Sequence, residues 1–353
     1  MTALAAVPLN VLDLAWRGFG QTNADAVAGS IALARRAEAL GYRRYWFAEH
    51  HGMPGIASSS PAILIGAVAA ATTTLRVGSG GVMLPNHAPL VVAEQFGTLH
   101  ALYGDRIDLG LGRAPGTDGV TALALRRTRE GLDASTFPQE LLDLIGFFHG
   151  GMSPNNPMSN LLAVPGLGDA PEIWLLGSSG FSAQVAGALG LPFAFAHHFS
   201  GENTEQALAL YRDAFQPSDF LREPHSMIAV SVIVDDSPEI VRREMLPGAI
   251  TFIRMRQGAK PEPVSIEEAL AYEFSPLEEE FIAHRNSRQA IGTPEQVRVQ
   301  LESLLASTGV DELMVQPSGA TAEGREHSLE LVRALARPAS PASSTLPTLP
   351  AGN

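Results

Sequence analysis

Hydrophobic and polar positions along the chain form short apolar runs that alternate with longer amphipathic stretches. Most of the short runs are apolar on both faces, which is typical of parallel strands covered by helices. Eight runs are predicted to be strands: 10–15, 44–49, 75–84, 106–113, 172–179, 192–199, 227–234 and 312–318. Strands that alternate with helices predict an α/β protein with a parallel sheet.

Start and stop signals predict the helices between these strands. Asn23 is expected to cap the first helix and Gly41 to follow its end. Pro61 stands in the first turn of the second helix. Thr293, three residues before Gln296, forms a capping-box pattern. Eight strands, each with a helix, favour a (β/α)8 TIM barrel, and a doubly wound open sheet is the alternative.

Two connections are longer than the others, at residues 114–171 and 235–311. The second one contains an extra segment, which predicts an insertion after strand seven that acts as a lid or mobile loop. We expect residues 1–336 to form a single domain. The tail at 337–353 is rich in Pro, Ser and Thr and is expected to be flexible.

Composition narrows the possible functions. Of 353 residues, 45% are hydrophobic and 17% charged, which describes a globular protein. The net charge of −13, from 24 basic and 37 acidic residues, argues against nucleic-acid and anionic-membrane partners. The absence of cysteine excludes disulfides, a thiolate nucleophile and Cys-ligated zinc. The opening residues lack a signal-peptide pattern, so we expect a cytoplasmic location.

The turn after strand five is a candidate anion site. Gly177, Ser178 and Ser179 precede a predicted helix, whose first N–H groups would face a phosphate. Arg113, at the end of the neighbouring strand four, would supply a cation. An ordinary serine N-cap explains the same serines and is the favoured interpretation of this motif by itself.

Strand three contains the run Ser79, Gly80, Gly81. Glycine weakens a strand interior, so these glycines need a reason. One is the close approach of a flat ligand to the backbone. The other is a β-bulge or a tight crossing inside the barrel, and the sequence leaves both open.

Histidine pairs follow strand two and end strand six. Neighbours in an extended strand point to opposite sides, so His50 with His51, or His197 with His198, offers at most one ligand to a shared metal. No HxH or HExxH motif accompanies them, and we predict no metal site. An acid–base or hydrogen-bonding role requires only His50, whereas a metal site would require several ligands at one point.

Five motifs carry a family resemblance: "YWFAEHH", "VGSGGVMLPNHAPLVVAEQ", "RIDLGLGRAPG", "LLGSSGFSAQ" and "IGTPEQV". In this order and spacing, from about residue 7 to 335, the chain resembles the bacterial luciferase-like family of flavin-dependent monooxygenases. The resemblance implies a (β/α)8 barrel that binds reduced FMN at the C-terminal face of its strands.

The resemblance also implies roles for individual residues. His50 matches the catalytic histidine beside the flavin ring, and Gly80–Gly81 match a non-proline cis peptide beneath it. Residues 252–286 match a mobile loop after strand seven. The residues expected to bind the cofactor are Ser79, Gly80, Gly81, Arg113, Gly177, Ser178 and Ser179.

The function implied by the resemblance is an FMN-dependent monooxygenase that oxidises a small organic substrate with O2. Because no GxGxxG fingerprint follows an early strand, a separate flavin reductase is expected to supply the reduced FMN. A homodimer is also expected. The alternatives are a deazaflavin-dependent oxidoreductase on the same barrel and a non-catalytic flavin-binding paralogue.

Overall fold

The structure of the protein, a computed structural model, describes residues 4–114, 116–126 and 136–337. Apart from Arg337, the predicted tail at 337–353 lies outside the described residues. Within them, no helix combines the length and the apolar character that crossing a bilayer requires.

Nine parallel strands occur within the described residues. They are β1 Leu9–Asp13, β2 Arg44–Phe47, β3 Arg76–Met83, β4 Ile107–Gly112, β5 Glu172–Gly177, β6 Phe193–Phe195, β7 Ser226–Val234, β8 Ala290–Gly292 and β9 Glu312–Pro317. Eight of them close a barrel, because β1 pairs with both β2 and β9 while β7 pairs with both β6 and β9. The predicted TIM barrel is confirmed, and the open sheet is wrong. The short β8, which the apolar pattern did not predict, pairs with the C-terminal end of β7.

The described helices cover the outside of the barrel and its C-terminal face. They are α1 Asn23–Leu40, α2 Pro61–Ala71, α3 Pro89–Tyr103, α4 Gly119–Arg126, α5 Phe137–His149, α6 Gly180–Ala188, α7 His197–Ser200, α8 Thr204–Ala214, α9 Pro238–Arg256, α10 Ile266–Ala271, α11 Pro276–Asn286, α12 Pro294–Thr308 and α13 Ala322–Leu335.

The helix signals are confirmed with one exception. Gly41 ends α1 in the left-handed conformation, at φ 81°, and Thr293 begins α12 with a capping box. The expected cap at Asn23 is wrong. Thr22 caps α1 instead, because its hydroxyl accepts the N–H of Asp25 at 3.1 Å and the Asp25 carboxylate accepts the N–H of Thr22 at 2.8 Å.

Most predicted strands end earlier than expected, by one or two residues in β1–β5 and β9 and by four residues in β6. β2 stops at Phe47, and β6 stops at Phe195. His197 and His198 therefore lie in the short helix α7, where each ring finds a hydrogen-bond partner. The chain turns at Ala196, whose backbone angles are not those of a strand.

The insertion after β7 is mostly helical rather than a loop. α10 and α11 pack against α9 through two small apolar clusters, and the rings of Phe252 and Phe281 stack at 5.7 Å. The carboxylate of Glu262 lies 3.8 Å from the guanidinium of Arg17. The segment thus reaches the chain that follows β1, at the C-terminal face of the barrel.

A buried ion network fills the opposite, N-terminal end of the barrel. Arg44, 1% exposed, donates to Asp108 at 2.8 Å, to Glu172 at 3.0 Å and to Glu312 at 3.1 Å. Burial raises the pKa of Glu312, but hydrogen bonds from His225 and Arg44 outweigh it and bring the pKa to about 2. The network ties the first residues of several strands together, away from the C-terminal face.

Candidate active site

A cavity opens at the C-terminal ends of the barrel strands. It encloses about 950 Å³ of empty space, part of which is open to solvent, and most of its wall is apolar. Six residues selected from the sequence line it: His50, Gly80, Arg113, Gly177, Ser178 and Ser179. Because they come from the ends of β2, β3, β4 and β5, only the closed barrel brings them together.

Ser79 and Gly81 lie behind this lining, in the barrel wall. Ser79 is fully buried, and its hydroxyl donates to the carbonyl oxygen of Gly110 at 2.8 Å. A Cβ atom on Gly81 would lie 2.7 Å from the same oxygen. Their contact with a cofactor therefore stays a prediction. The peptide bond between Gly80 and Gly81 is cis, as the resemblance implies.

Close packing of β3 against its neighbours accounts for the glycine run. A Cβ atom on Gly80 would lie 2.7 Å from Cδ1 of Leu12, and one on Gly110 would lie 2.1 Å from the carbonyl oxygen of Ser79. The pairing of β3 with β4 also shifts register between Gly80 and Val82, which marks a bulge. The two structural explanations for the glycines, a tight crossing and a β-bulge, therefore both hold. Gly80 in addition lines the cavity.

The ring of His50 is held in one tautomer. Its Nδ1 lies 3.1 Å from the carbonyl oxygen of Gly116, so Nδ1 carries the hydrogen and Nε2 is the acceptor. Its backbone N–H donates to the carbonyl oxygen of Ser58 at 3.2 Å. Burial lowers the pKa of His50 below its ordinary value of 6.5, so the imidazole is neutral at neutral pH. A neutral imidazole with a free Nε2 can accept a proton or a hydrogen bond.

Glu49, directly before His50, organises the rim of the cavity. Its buried carboxylate accepts Nε2–H of His51 at 2.8 Å, Nε2–H of His87 at 2.9 Å and the N–H of Met83 at 2.9 Å. Burial raises the pKa of Glu49, but the hydrogen bonds from His51 and His87 outweigh it and bring the pKa to about 2. His51 and His87 are therefore partners of a carboxylate.

The cavity end near β4 and β5 has the groups of an anion site. Within the described residues no carboxylate pairs with Arg113, whose guanidinium lies 4.4 Å from the centre of the Phe181 ring. Ser179 occupies the N-cap position of α6, but its side chain makes no capping hydrogen bond. Ser178 and Ser179 are both exposed in the cavity. The hydroxyls and the first N–H groups of α6 thus remain open to an anion, which an ordinary serine cap would not leave.

His198 is a cavity residue that sequence reasoning considered only as a metal ligand. Its Nδ1 donates to the carbonyl oxygen of Ala229 at 2.9 Å, which leaves Nε2 as the acceptor. Burial lowers the pKa of His198 to about 4, and the charges of His197, His50 and Arg285 act in the same direction. The position of His198 after a strand was a usable signal. Other lining residues missed from the sequence are Leu12, Trp46, Met83, Phe199 and Met314.

The two members of each histidine pair face different surroundings: His50 and His198 line the cavity, and His51 pairs with Glu49. The Nδ1 atom of His197 lies 2.8 Å from the hydroxyl of Thr204, in contrast to the cavity position of His198. Across residues 4–114, 116–126 and 136–337, no group of three or more histidine, aspartate or glutamate side chains is arranged to hold a metal ion.

The fold is a TIM barrel with a cavity at the C-terminal ends of its strands, where the candidate site lies. The chain belongs to the luciferase-like monooxygenase family, whose model matches residues 14–312. It is 46% identical over 324 residues to the protein YvbT of Bacillus subtilis, covering 92% of this chain and 95% of that protein. It is 44% identical over 328 residues to a luciferase-like monooxygenase of Escherichia coli K12, and the match covers 92% of this chain and 96% of that protein.

Solved structures agree with this membership. Apo-MsnO8 matches with a TM-score of 0.83 and 36% identity, over 93% of this chain and 98% of that chain. The oxygenating constituent of 3,6-diketocamphane monooxygenase of Pseudomonas putida, in complex with FMN, matches with a TM-score of 0.67 and 17% identity. An F420-dependent secondary alcohol dehydrogenase matches with a TM-score of 0.67 and 13% identity. At these lower identities, the last two show a common fold and no more.

Some relatives are named for a substrate, and one of these matches most of the chain. The N-acetyl-S-alkylcysteine monooxygenase of Bacillus subtilis is 33% identical over 317 residues, covering 88% of this chain and 92% of that protein. Members of this family and its structural neighbours therefore include monooxygenases and other oxidoreductases that bind FMN or F420.

Proposed function

We propose that the protein is an FMN-dependent monooxygenase that oxidises a small organic substrate with O2 in the cytoplasm. A separate reductase would supply the reduced FMN. The observation that supports this most is that one apolar cavity is lined by His50, Gly80, Arg113 and Gly177–Ser179 together. When bound, reduced FMN supplies the electrons for the reaction with oxygen, and the protein supplies binding, orientation and a proton acceptor.

The groups around the cavity fit a flat, phosphorylated cofactor. Arg113, Ser178 and Ser179 would hold the phosphate, because their side chains and the start of α6 offer donors without a protein partner among the described residues. Gly80 would face the ring system, since it presents backbone to the cavity beside apolar Leu12 and Trp46.

His50 would act as the acid–base residue. Its tautomer is set by the carbonyl oxygen of Gly116, so only Nε2 is available to take a proton from the substrate or the cofactor. The apolar wall would exclude water from this group and strengthen its hydrogen bonds. Glu49 would hold the rim in place through His51 and His87.

Anaerobic titration tests the cofactor. We expect reduced FMN to bind more tightly than reduced riboflavin and reduced deazaflavin F420. After oxygen is admitted, we expect a substrate-dependent decrease in the share of O2 released as H2O2. The substrate panel should begin with N-acetyl-S-alkylcysteines, because a relative has that activity, and should continue with aldehydes and ketones. Binding of F420 without oxygen consumption would support the dehydrogenase alternative, and flavin binding without turnover the non-catalytic one.

We also propose that the protein is a homodimer. α2 has the sequence PAILIGAVAAA and carries no polar side chain, yet Ile63 on its outer face is 74% exposed. On neighbouring α3, Val91 is 45% and Leu102 66% exposed. A helix that is apolar on all sides is normally covered, so a second copy of the chain is the expected cover.

A further inference from the structure

His198, in the short helix α7, carries a hydrogen-bond acceptor that has no partner in the described part of the chain. Its Nδ1 donates to the carbonyl oxygen of Ala229 at 2.9 Å, so its Nε2 has a lone pair and no hydrogen. No described residue donates to this Nε2, and the atom stays accessible to solvent. Because His198 lines the cavity, Nε2 is open to a ligand there.

The cavity wall around His198 is apolar. The centre of the Phe199 ring lies 4.2 Å from the centre of the imidazole, and Ala229 of β7 is paired in register with Met314 of β9. Phe199, Ala229 and Met314 all line the cavity. A ligand that displaces water from this wall leaves Nε2 unsatisfied unless it brings a donor, and an unsatisfied buried acceptor costs free energy.

Other polar groups of the cavity wall belong to different parts of the site. In the closed barrel β2 and β6 are four strands apart, so His50, after β2, and His198, after β6, come from opposite sides of the ring. The indole N–H of Trp46 already donates to Asp108 at 2.8 Å. The groups around the end of β4 and the start of α6, where the phosphate is proposed to bind, are Arg113, Ser178, Ser179 and Ser182. His198 is thus left for another ligand.

The charge of the cavity wall favours a neutral donor at His198. No aspartate or glutamate occurs among the described residues that line the cavity, so an ammonium group would lose its hydration without gaining a counter-ion. A carboxylate at this position would offer only acceptors to the lone pair of Nε2. A hydroxyl or an amide N–H brings the hydrogen without the cost of burying a full charge.

We propose that the substrate carries a neutral hydroxyl or N–H group on an apolar body, and that Nε2 of His198 accepts a hydrogen bond from this group. The inference rests on the proposed function, because it assigns the phosphate end of the cavity to the cofactor and the proton transfer to His50. His198 then determines specificity by orienting the substrate and takes no part in the proton transfer.

Pairs of isomers with and without a donor test the proposal. The probes are 1-octanol with 1-methoxyheptane, and N-methyloctanamide with N,N-dimethylheptanamide, and flavin fluorescence follows their binding to the FMN-loaded protein. We expect the wild type to bind the donor isomer about 10- to 100-fold more tightly, because only that isomer satisfies Nε2. His198→Phe should lose this preference with the Kd of FMN unchanged. His198→Gln, whose side-chain oxygen can accept, should keep part of it.

His197→Phe is the matched control, because His197 precedes His198 in α7 but contacts the hydroxyl of Thr204 and lines a different cavity. This control should keep the preference. A wild type that binds both isomers equally would overturn the proposal, and that comparison requires no variant to fold. So would a His198→Phe variant that keeps the preference or that loses FMN binding instead. A wild type that does not bind FMN would refute the proposed function, and thermal-shift titration of the cofactor-free protein would still measure the preference for donors.

Discussion

At the scale of single residues, the two cavity histidines share one arrangement. In His50 and in His198, Nδ1 donates to a backbone carbonyl and Nε2 remains the acceptor. Burial lowers the pKa of both rings, so both are neutral at neutral pH. The cavity therefore contains proton acceptors, and neither ring is a ready proton donor before the reaction begins.

Replacing His50 tests its assignment as the acid–base residue. We expect His50→Ala to lose about 10²- to 10⁴-fold in substrate oxygenation, with the Kd of reduced FMN nearly unchanged. Because His50 acts in its neutral form and its pKa is lowered, wild-type activity should be flat above pH 6.5 and fall at lower pH. Stopped-flow reoxidation and product analysis across pH measure both. His149→Ala, at the end of α5, is the control, and unchanged oxygenation in His50→Ala would contradict the role.

The ionised carboxylate of Glu49 contributes to the stability of the folded protein. Its folded pKa of about 2 lies below the ordinary 4.5, so its contribution to stability is present above pH 4.5 and lost as the pH falls toward 2. We expect Glu49→Gln to lower the free energy of unfolding by about 2–3 kcal/mol at pH 7, since hydrogen bonds to a buried charge are lost. Urea unfolding at pH 7 and pH 3 measures this. A difference between wild type and variant that does not shrink at pH 3 would be inconsistent with an ionised Glu49.

At the scale of elements, the anion site depends on where β4 ends and α6 begins. Arg113 and the uncapped start of α6 meet only because β4 and β5 are adjacent in the barrel. We expect Arg113→Glu to raise the Kd of FMN by about 100-fold or more, because a cation–phosphate attraction becomes a repulsion. Riboflavin, which lacks the phosphate, is the built-in control for the fluorescence titration. Equal losses for FMN and riboflavin would count against a phosphate role.

The presence of the strands and helices could be predicted better than the residues at which they end. Apolar runs located all eight barrel strands, and local signals at Gly41, Pro61 and Thr293 located the end of α1 and the starts of α2 and α12. The end of β6 and the short β8 were not predictable, because three-residue strands depend on pairing with distant partners more than on local pattern. The histidines of α7 could be placed near the site from the sequence, but coordinates were required to show that His198, and not His197, lines the cavity.

The same limit applies to the candidate site. Residues that follow strands, such as His50 and Ser178, could be selected because the barrel rule brings strand ends together. The role of Glu49 as an anchor for two imidazoles could not be foreseen. It depends on the fold, which brings His87 to Glu49, and such a contact leaves no spacing in the sequence.

At the scale of the whole molecule, the ion network beneath the cavity is a distinct source of stability. Removing Arg44 would leave the buried carboxylates of Asp108 and Glu312 with only their more exposed partners, Arg76 and Arg43. We expect Arg44→Met to lower the free energy of unfolding by about 3–5 kcal/mol in urea titrations. Arg36→Gln, which breaks a solvent-exposed pair with Glu330, should cause no measurable change. Equal stability of Arg44→Met and wild type would show that the network does not hold the barrel together.

The proposed dimer is also a property of the whole molecule. We expect Ile63→Glu to convert the protein to a monomer in sedimentation velocity, because it places a charge in the proposed contact of α2. Val299→Glu, which introduces the same charge at a 55% exposed position on α12, is the control. A wild type that sediments as a monomer would refute the dimer.

Closure of the barrel joins its first and last strands. β1 pairs with β9, and the cavity is lined by Leu12 from β1 and by Met314 from β9. A chain emerging from the ribosome therefore has no finished pocket until residues near Pro317 have left the exit tunnel. We therefore expect cofactor loading to follow the synthesis of β9, and a chain truncated before β9 to bind FMN far more weakly than the closed barrel does.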